Sequence, residues 1–473
     1  NNCDQGSKIV MVEKNISMAK SISHSTPGVQ TLLGKPRQAI IKLSGPMIVA
    51  MSVQTLYNFV DAFWVSGLGP DALSAVGFFF PFFFMLMALA TGLGVGGSAA
   101  ISRRIGAQDK IGADDVASHT IVMMLLLAVV VTIPFFWLTP HIFEFMGAGS
   151  ITPIATHYAR ILFAFTIVIF FANIASALLR GEGDVKRAMY VMMLGAGLNI
   201  ILDPLFIFVF KLGIAGAAWA TALSLSVSSC FLFNWLILKK DSYVKIKLKG
   251  FRFRRQIIRD ILRVGIPTSI QQLSMSFSVF ILNIIAVKVG GTDGVAVFTT
   301  GWRVTMFAIL PLIGLATAVT SVTGAAYGGK DYQKLDDAYL YAIKLGVVVE
   351  VVIALLTFIL APYIATLFTL TKEGLRIRAD LVVFLRTMCL YYPATSFGML
   401  SSSMFQGTGK GLYSLTATII RTIVLAAPIA YILAVLVLHD LAGVWWGIVA
   451  GNILGAVVAF VWGRHFVLSL KKQ

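Results

Sequence analysis

Twelve apolar stretches, each long enough to cross a membrane, follow one another along this 473-residue chain. A helix needs roughly 20 mostly apolar residues to span the hydrocarbon core. Segments 38–66, 73–101, 118–139, 157–180, 188–210, 214–238, 257–288, 295–324, 338–361, 380–405, 414–438 and 443–468 reach that length. The expected fold is an all-α membrane protein of twelve transmembrane helices. Composition agrees, with 12% charged residues and a mean hydropathy of +0.86. A soluble domain carries about 25% charged residues. Lipid must be the solvent over most of this surface.

Charge gives the topology. With both termini on one side, 30 Lys and Arg residues fall on that side and 7 on the other, and Arg303 lies within a span. Such a bias places the basic side in the cytoplasm. The expected location is the inner (plasma) membrane, multi-pass, with both termini cytoplasmic. The net charge of +17 then reads as topogenic charge and contact with anionic lipid headgroups, not as nucleic-acid binding.

The basic run KKDSYVKIKLKGFRFRRQIIRDILR at 239–263 splits the chain into halves of six helices that repeat each other. Pro46 pairs with Pro267, and Gly106-Ala107-Gln108-Asp109 with Gly328-Gly329-Lys330-Asp331. RGEGD at 180–184 pairs with QGTGK at 406–410, and IAGAAWA at 214–220 with LAGVWWG at 441–447. An even number of helices per half gives both the same orientation, the parallel-repeat plan of some transporters. The expected organisation is a disordered tail at 1–35, an N-lobe at 36–240, a basic linker at 241–256 and a C-lobe at 257–470.

A carboxylate inside a span is costly and marks function by default. Asp61 lies in QTLYNFVDAFWV of the first span and Asp203 in LNIILDPLFIF of the fifth, at similar depth toward the same side. Two carboxylates facing one cavity repel, and one proton or one small cation relieves that. Gln54, Tyr57, Asn58 and Asp61 fall near one helical stripe, and Asn199 and Asp203 are one turn apart. Thr221 adds a hydroxyl from the sixth span. Oxygen ligands of this kind suit H⁺ or a hard cation such as Na⁺ at Asp61, Asn199, Asp203 and Thr221. No other cofactor is expected.

Other features carry less chemistry. Glu350 and Arg303 are expected to pair within the C-terminal half. The aromatic run Phe78–Phe84 reads as packing or lipid contact. Pro46 and Pro204 remove backbone donors and allow kinks. Cys3, Cys230 and Cys389 form no disulfide framework, and the six dispersed histidines form no zinc pair.

The first span, reading Pro46…Gln54-Thr55-Leu56-Tyr57-Asn58-Phe59-Val60-Asp61, and the fifth, Leu198-Asn199-Ile200-Ile201-Leu202-Asp203-Pro204, resemble the multidrug and toxic compound extrusion (MATE) family. The N-half carboxylates resemble its DinF-like prokaryotic branch. The resemblance covers about 36–468. It implies two six-helix lobes, a central cavity facing alternately in and out, and antiport of organic cations or amphiphilic drugs against H⁺ or Na⁺, by a monomer in the bilayer. It implies a coupling site of Asp61, Asn199, Asp203 and Thr221. It implies a substrate cavity with Gln54, Tyr57, Asn58, Tyr158 and Asn173, and a hinge at Pro46. The NorM-like branch carries acidic residues in its C-lobe. The matching stretches here, Gln271-Gln272-Leu273-Ser274-Met275 and Pro393-Ala394-Thr395-Ser396, have none.

The main rival reading is a lipid-linked oligosaccharide flippase of the same broader fold, which would need cavity arginines for a pyrophosphate. An intramembrane enzyme would need a nucleophile with its base, or a metal cluster, at membrane depth. The histidines lie near span ends or in the tail, so no enzyme activity is expected. A channel fits an internal repeat around one acidic cavity less well than alternating access does.

Overall fold

The computed structural model describes residues 26–239, 241–247, 249–369 and 374–472. Twelve membrane-crossing segments dominate it. α1 is Pro36–Ser66, α2 Pro70–Gly106 and α3 Lys110–Phe145. α4 is broken into Gly149–Ala164 and Thr166–Gly181, bent by 48°. α5 is Val185–Val209 and α6 Ile214–Leu238. The helical stretch Arg255–Gly328 turns at Gly291, with φ 58° and ψ −145°, which separates α7 (255–290) from α8 (292–328). Only glycine adopts that backbone without strain. α9 is Tyr332–Phe368, α10 the pair Arg378–Met388 and Tyr392–Gly407, α11 Gly411–Val437 and α12 Leu441–Lys471.

The duplication inferred from sequence is written into the backbone. Positive φ angles recur in pairs: Gly69 with Gly291, Gln108 with Lys330, Gly183 with Gly409, and Lys211 with His439. Asp109 caps α3 through the Gly112 N–H, and Asp331 caps α9 through the Lys334 N–H. Both α5 and α11 widen into π-helical turns at their ends, Leu205–Val209 and Ile432–Val437.

The halves meet where α2 and α8 cross near the face that carries Pro27–Leu33 and the end of α12, here called the basic face. A Cβ on Gly106 would fall 1.8 Å from the Ala325 carbonyl oxygen, and one on Gly328 would fall 1.9 Å from that of Arg103. The two backbones therefore touch directly, in a reciprocal contact that only glycine permits. Around it, the Arg103 guanidinium pairs with Asp260 at 3.2 Å and donates to the Gly407 carbonyl at 3.1 Å. Ser321 donates to the Arg180 carbonyl at 2.9 Å. Nearer the middle of the bundle, Phe59 of α1 stacks on Phe307 of α8 with centroids 4.8 Å apart.

One expectation about the N-terminus needs correction. Residues 1–25 of the supposed disordered tail lie outside the described residues, but Pro27–Leu33 is helical and packed. Val29 and Leu32 are buried, and Gly28 lies against the backbone of Gly183 and Asp184. Lys334 of α9 donates to the Leu33 carbonyl at 2.7 Å. Two apolar side chains three residues apart anchor this turn to both halves, within a stretch whose average polarity hides them.

The basic linker is an extended strap laid along the N-terminal half. Val244 and Ile246 are buried while Lys245 and Lys247 face outward, the alternation of an extended chain. The strap's N–H groups are received by side chains: Val244 by Glu182 at 2.8 Å, Lys245 by Asp114 at 2.8 Å and Lys247 by Ser118 at 2.9 Å. Arg254 N–H donates to His119 Nε2 at 3.0 Å, while His119 Nδ1 bonds to the Asp115 carbonyl at 2.7 Å. That pair of contacts requires the neutral ring with its proton on Nδ1.

Glu182, at the turn between α4 and α5, is buried, and burial pushes its carboxyl up to about 8, against the opposing pull of the Val244 N–H. A carboxyl raised from 4.5 to about 8 binds a proton in the folded state that the unfolded state releases within that window. Its contribution is complete below the lower value and is lost as pH rises through the upper one. Tryptic cleavage within the strap should therefore accelerate between about pH 6.5 and 9 in the native protein. Glu182→Gln keeps an acceptor without the charge and should flatten that profile. Identical profiles for the two proteins would show that Glu182 does not anchor the strap.

Candidate cation-binding site

Three helices of the N-terminal half bring the sequence-derived carboxylates together. α1 runs as one helix through Pro46 and carries Tyr57 and Asp61 one turn apart. α5 presents Asn199 and Asp203, both buried. Pro204 follows at once, and the helix widens into its π-helical turn there, as expected where a proline interrupts the backbone ladder. α6 supplies Thr221 and, one turn on, Ser224.

The Asp61 and Asp203 carboxyl groups are in hydrogen-bond contact with each other. With its NH₂ turned toward Asp203, Asn199 donates to that carboxylate at 2.6 and 3.2 Å, and its oxygen accepts from the Thr221 hydroxyl at 3.2 Å. The Tyr57 side chain lies beside Thr221. Tyr158 of α4 lies within electrostatic reach of both carboxylates, its ring set edge-on to Phe79 at 5.5 Å.

The chemistry follows from the contact. Two like charges about 4 Å apart repel by roughly 4 kcal/mol even at an effective dielectric near 20. One proton or one cation taken up by a carboxyl pair this close would relieve that repulsion. The neighbouring amide can serve either state. Its NH₂ stabilises a carboxylate, and its oxygen, turned the other way, would join two carboxylates and a hydroxyl as a ligand set for a hard cation.

The remaining candidates are placed unevenly. Gln54 is half-buried on α1, two turns from Asp61 toward the basic face, and Asn58 is exposed. Asn173 sits in the second half of α4 facing Gly94 of α2. Among the described residues, none of these three bonds to the carboxylates. Ser224 was not anticipated. It is 3.4 Å from the Asn199 amide nitrogen in the alternative amide orientation, and its spacing of three from Thr221 was the available signal. Glu182 was also missed as a carboxylate of interest, although RGEGD stood out as a repeat.

The expected pair in the C-terminal half does not form. Arg303 is exposed, on the side of α8 opposite Val304 and Thr305. Glu350 is fully buried, and neither of its oxygens has a hydrogen-bond partner. The helical register turns Arg303 away. Of the aromatic run, Phe79 packs on Phe163 and Phe82 on Phe135, while Phe80, Phe83 and Phe84 are exposed.

A twelve-helix bundle of two parallel repeats, with a contacting carboxyl pair inside one of them, has the build of a membrane transporter. Sequence and structure comparisons agree. The MatE family profile matches residues 46–205 and 267–432. The chain is 26% identical over 431 residues to the multidrug export protein MepA of Staphylococcus aureus, covering 90% of this chain and 92% of MepA. It is 27% identical over 436 residues to the probable multidrug resistance protein YoeA of Bacillus subtilis, covering 90% and 93%. A solved transporter of the MOP superfamily from Pyrococcus furiosus is 51% identical, with a TM-score of 0.92 over 95% of this chain and all of that one. A MATE crystallised with MaL6 gives 50% identity and a TM-score of 0.93 over the same shares. This chain belongs to the MATE family of transporters.

Asp61→Asn and Asp203→Asn test the pair. An amide can still donate to the remaining carboxylate, so both variants should purify as monodisperse protein. Each keeps one carboxylate and loses the like-charge repulsion that favours uptake of a proton or cation by the pair. The cation dependence of organic-cation binding, a factor of about 5–150 for coupled sites, should fall to near one in each. Retention of the native dependence by both variants would remove the pair from the coupling step.

Proposed function

We propose that the protein is a secondary active antiporter that exports organic cations or other amphiphiles in exchange for inward H⁺ or Na⁺ by alternating access. The contact between Asp61 and Asp203 carries this reading, because a pair that must load and unload a positive charge is what coupling requires. Drug-like substrates are supported by the names of its relatives, a multidrug export protein and a probable multidrug resistance protein. Asp61, Asn199, Asp203 and Thr221 hold the coupling ion in this scheme. Tyr57 and Tyr158 line the adjoining cavity, with Gln54, Asn58 and Asn173 further along it. The basic face is cytoplasmic, the membrane is the inner (plasma) membrane, and the working unit is the monomer in its bilayer. A flippase for lipid-linked oligosaccharides would require cationic side chains facing a pyrophosphate, and a carboxyl pair opposes that.

Pro46 is the hinge in this mechanism. It lies 15 residues before Asp61, and the helix between them has no other proline. Loading the carboxyl pair rearranges its bonds to Asn199 and Thr221, and α1 yields most easily where a backbone hydrogen bond is already missing. The resulting change in the cavity lowers affinity for a bound organic cation.

Two measurements test the proposal. Purified protein in vesicles, given a pH gradient and a Na⁺ gradient separately, should move a fluorescent organic cation against at least one of them. Failure with both would end the antiport reading. Across about pH 5 to 8, the range open to buried carboxyls, Pro46→Ala should weaken the pH dependence of drug affinity more than the affinity itself. An unchanged pH profile would leave Pro46 a passive kink.

A further inference from the structure

A second polar site lies at the end of the bundle opposite the basic face, away from the carboxyl pair. A cavity of about 420 Å³ opens between the end of α3 and the first turns of α4, lined by Glu144, Thr152, Thr156, His157 and Arg160 together with two prolines. Tyr158 of the same helix reaches the carboxyl pair. His157 and Arg160 flank it, and turn to a different face of α4.

The lining is built for a ligand of mixed charge. Thr152 and Thr156 are each only 7% exposed, and neither hydroxyl has a hydrogen-bond partner. Arg160 is steadied by its Nε, which donates to the Phe136 carbonyl at 3.2 Å, and by the Phe136 ring beneath its guanidinium at 5.4 Å. This leaves its terminal nitrogens free for an anion in a fixed orientation. Glu144 brings the opposite charge to the same cavity, and among the described residues no ion pair neutralises it or Arg160.

Below the cavity runs an apolar track. Glu144 and Pro140 continue a stripe of α3 through Trp137, Ile133, Val130 and Leu126, at spacings of four and three residues that keep to one helix face. The last four are 69%, 57%, 67% and 54% exposed. Trp137 stands just below the charged lining, where interfacial tryptophans sit. From Pro140 to Val130 the helix rises about 15 Å, the depth of one leaflet's hydrocarbon.

We propose that this cavity binds the headgroup of a phospholipid from the leaflet opposite the basic face. The headgroup is a phosphate bearing a primary ammonium, and one acyl chain lies on the Leu126–Trp137 stripe. The phosphate takes Arg160, His157 and the two threonine hydroxyls, and the ammonium takes Glu144. Among the described residues, no Phe, Tyr or Trp lines the cavity, so they supply no aromatic cage of the kind that favours a quaternary ammonium. Glu144 disfavours a headgroup that is only anionic.

Native mass spectrometry of the full-length protein, titrated with phosphatidylethanolamine, phosphatidylcholine or phosphatidylglycerol, reads the site. The native protein should retain one phosphatidylethanolamine about tenfold more than the other two, the ratio that one hydrogen bond to a charged group supports. Arg160→Gln should remove that adduct, and Thr156→Val should weaken it without lowering thermal stability. Glu144→Gln, at an exposed position with no side-chain bond to lose, should keep a bound lipid but reverse the preference toward phosphatidylglycerol. Equal retention of the three lipids by the native protein would overturn the proposal. So would an unchanged preference in Glu144→Gln, even if Arg160→Gln proved unstable. Displacement of the adduct by inorganic phosphate at equal concentration would identify a free-anion site and overturn the lipid assignment.

Discussion

The arrangement of the two halves rests on a backbone-to-backbone contact. At the crossing of α2 and α8, Gly106 meets the Ala325 carbonyl and Gly328 meets that of Arg103, each where a methyl group could not fit. Close approach of this kind is how helices associate in lipid, where burial of apolar side chains gives little net gain. Because the contact is reciprocal, it lies on the pseudo-twofold that relates the halves. The Arg103–Asp260 pair and the Ser321 bond to Arg180 surround it. The carboxyl pair stands in the first half at the far end of α1 and α5, where the stacked rings of Phe59 and Phe307 also join α1 to α8.

The halves share a scaffold but not a chemistry. Their left-handed turns, aspartate caps and π-helical ends recur, while the polar groups have diverged. The N-terminal half holds two carboxyl groups in contact, with an amide that can present either its donors or its oxygen. In the C-terminal half, Gln271 bonds to Thr418 at 2.8 Å and to Gln406 and Ser414 at 3.1 Å each. That neutral amide–hydroxyl network is satisfied from within. It glues helices together without changing charge, whereas repulsion within a pair of carboxyl groups is relieved by a proton or a cation.

How much of this could be read beforehand depended on how local each signal was. The twelve spans were legible because lipid demands a long apolar run for every crossing. The repeat was legible because glycines and aspartates at turns and caps answer to local backbone needs. Asp61 and Asp203 were legible because charge inside a span is rare. Features that depend on three-dimensional register were not. Arg303 and Glu350 looked like partners until the rotation of α8 turned the arginine outward. Val29 and Leu32 were lost in a polar stretch. Asn173 shares a half with the carboxylates but lies deeper in α4. The acceptors of the strap lie in two places far apart in sequence, Asp114, Ser118 and His119 on adjacent turns of α3 and Glu182 after α4, and are grouped only by folding.

The strap has a mechanical consequence. The sixteen residues 239–254 between α6 and α7 would, as free chain, act as a loose tether and allow the halves a wide range of separations. Here Val244, Lys245, Lys247 and Arg254 are fastened to the N-terminal half through their own N–H groups, and α7 starts at Arg255, directly after the last of them. The covalent joint between the halves therefore has almost no slack. Any rocking of one half against the other turns about a point held close to the glycine crossing, so a small rotation there becomes a large displacement at the opposite end of the helices. The long basic segment, which looks like a spacer, instead shortens the lever's pivot to a single residue step.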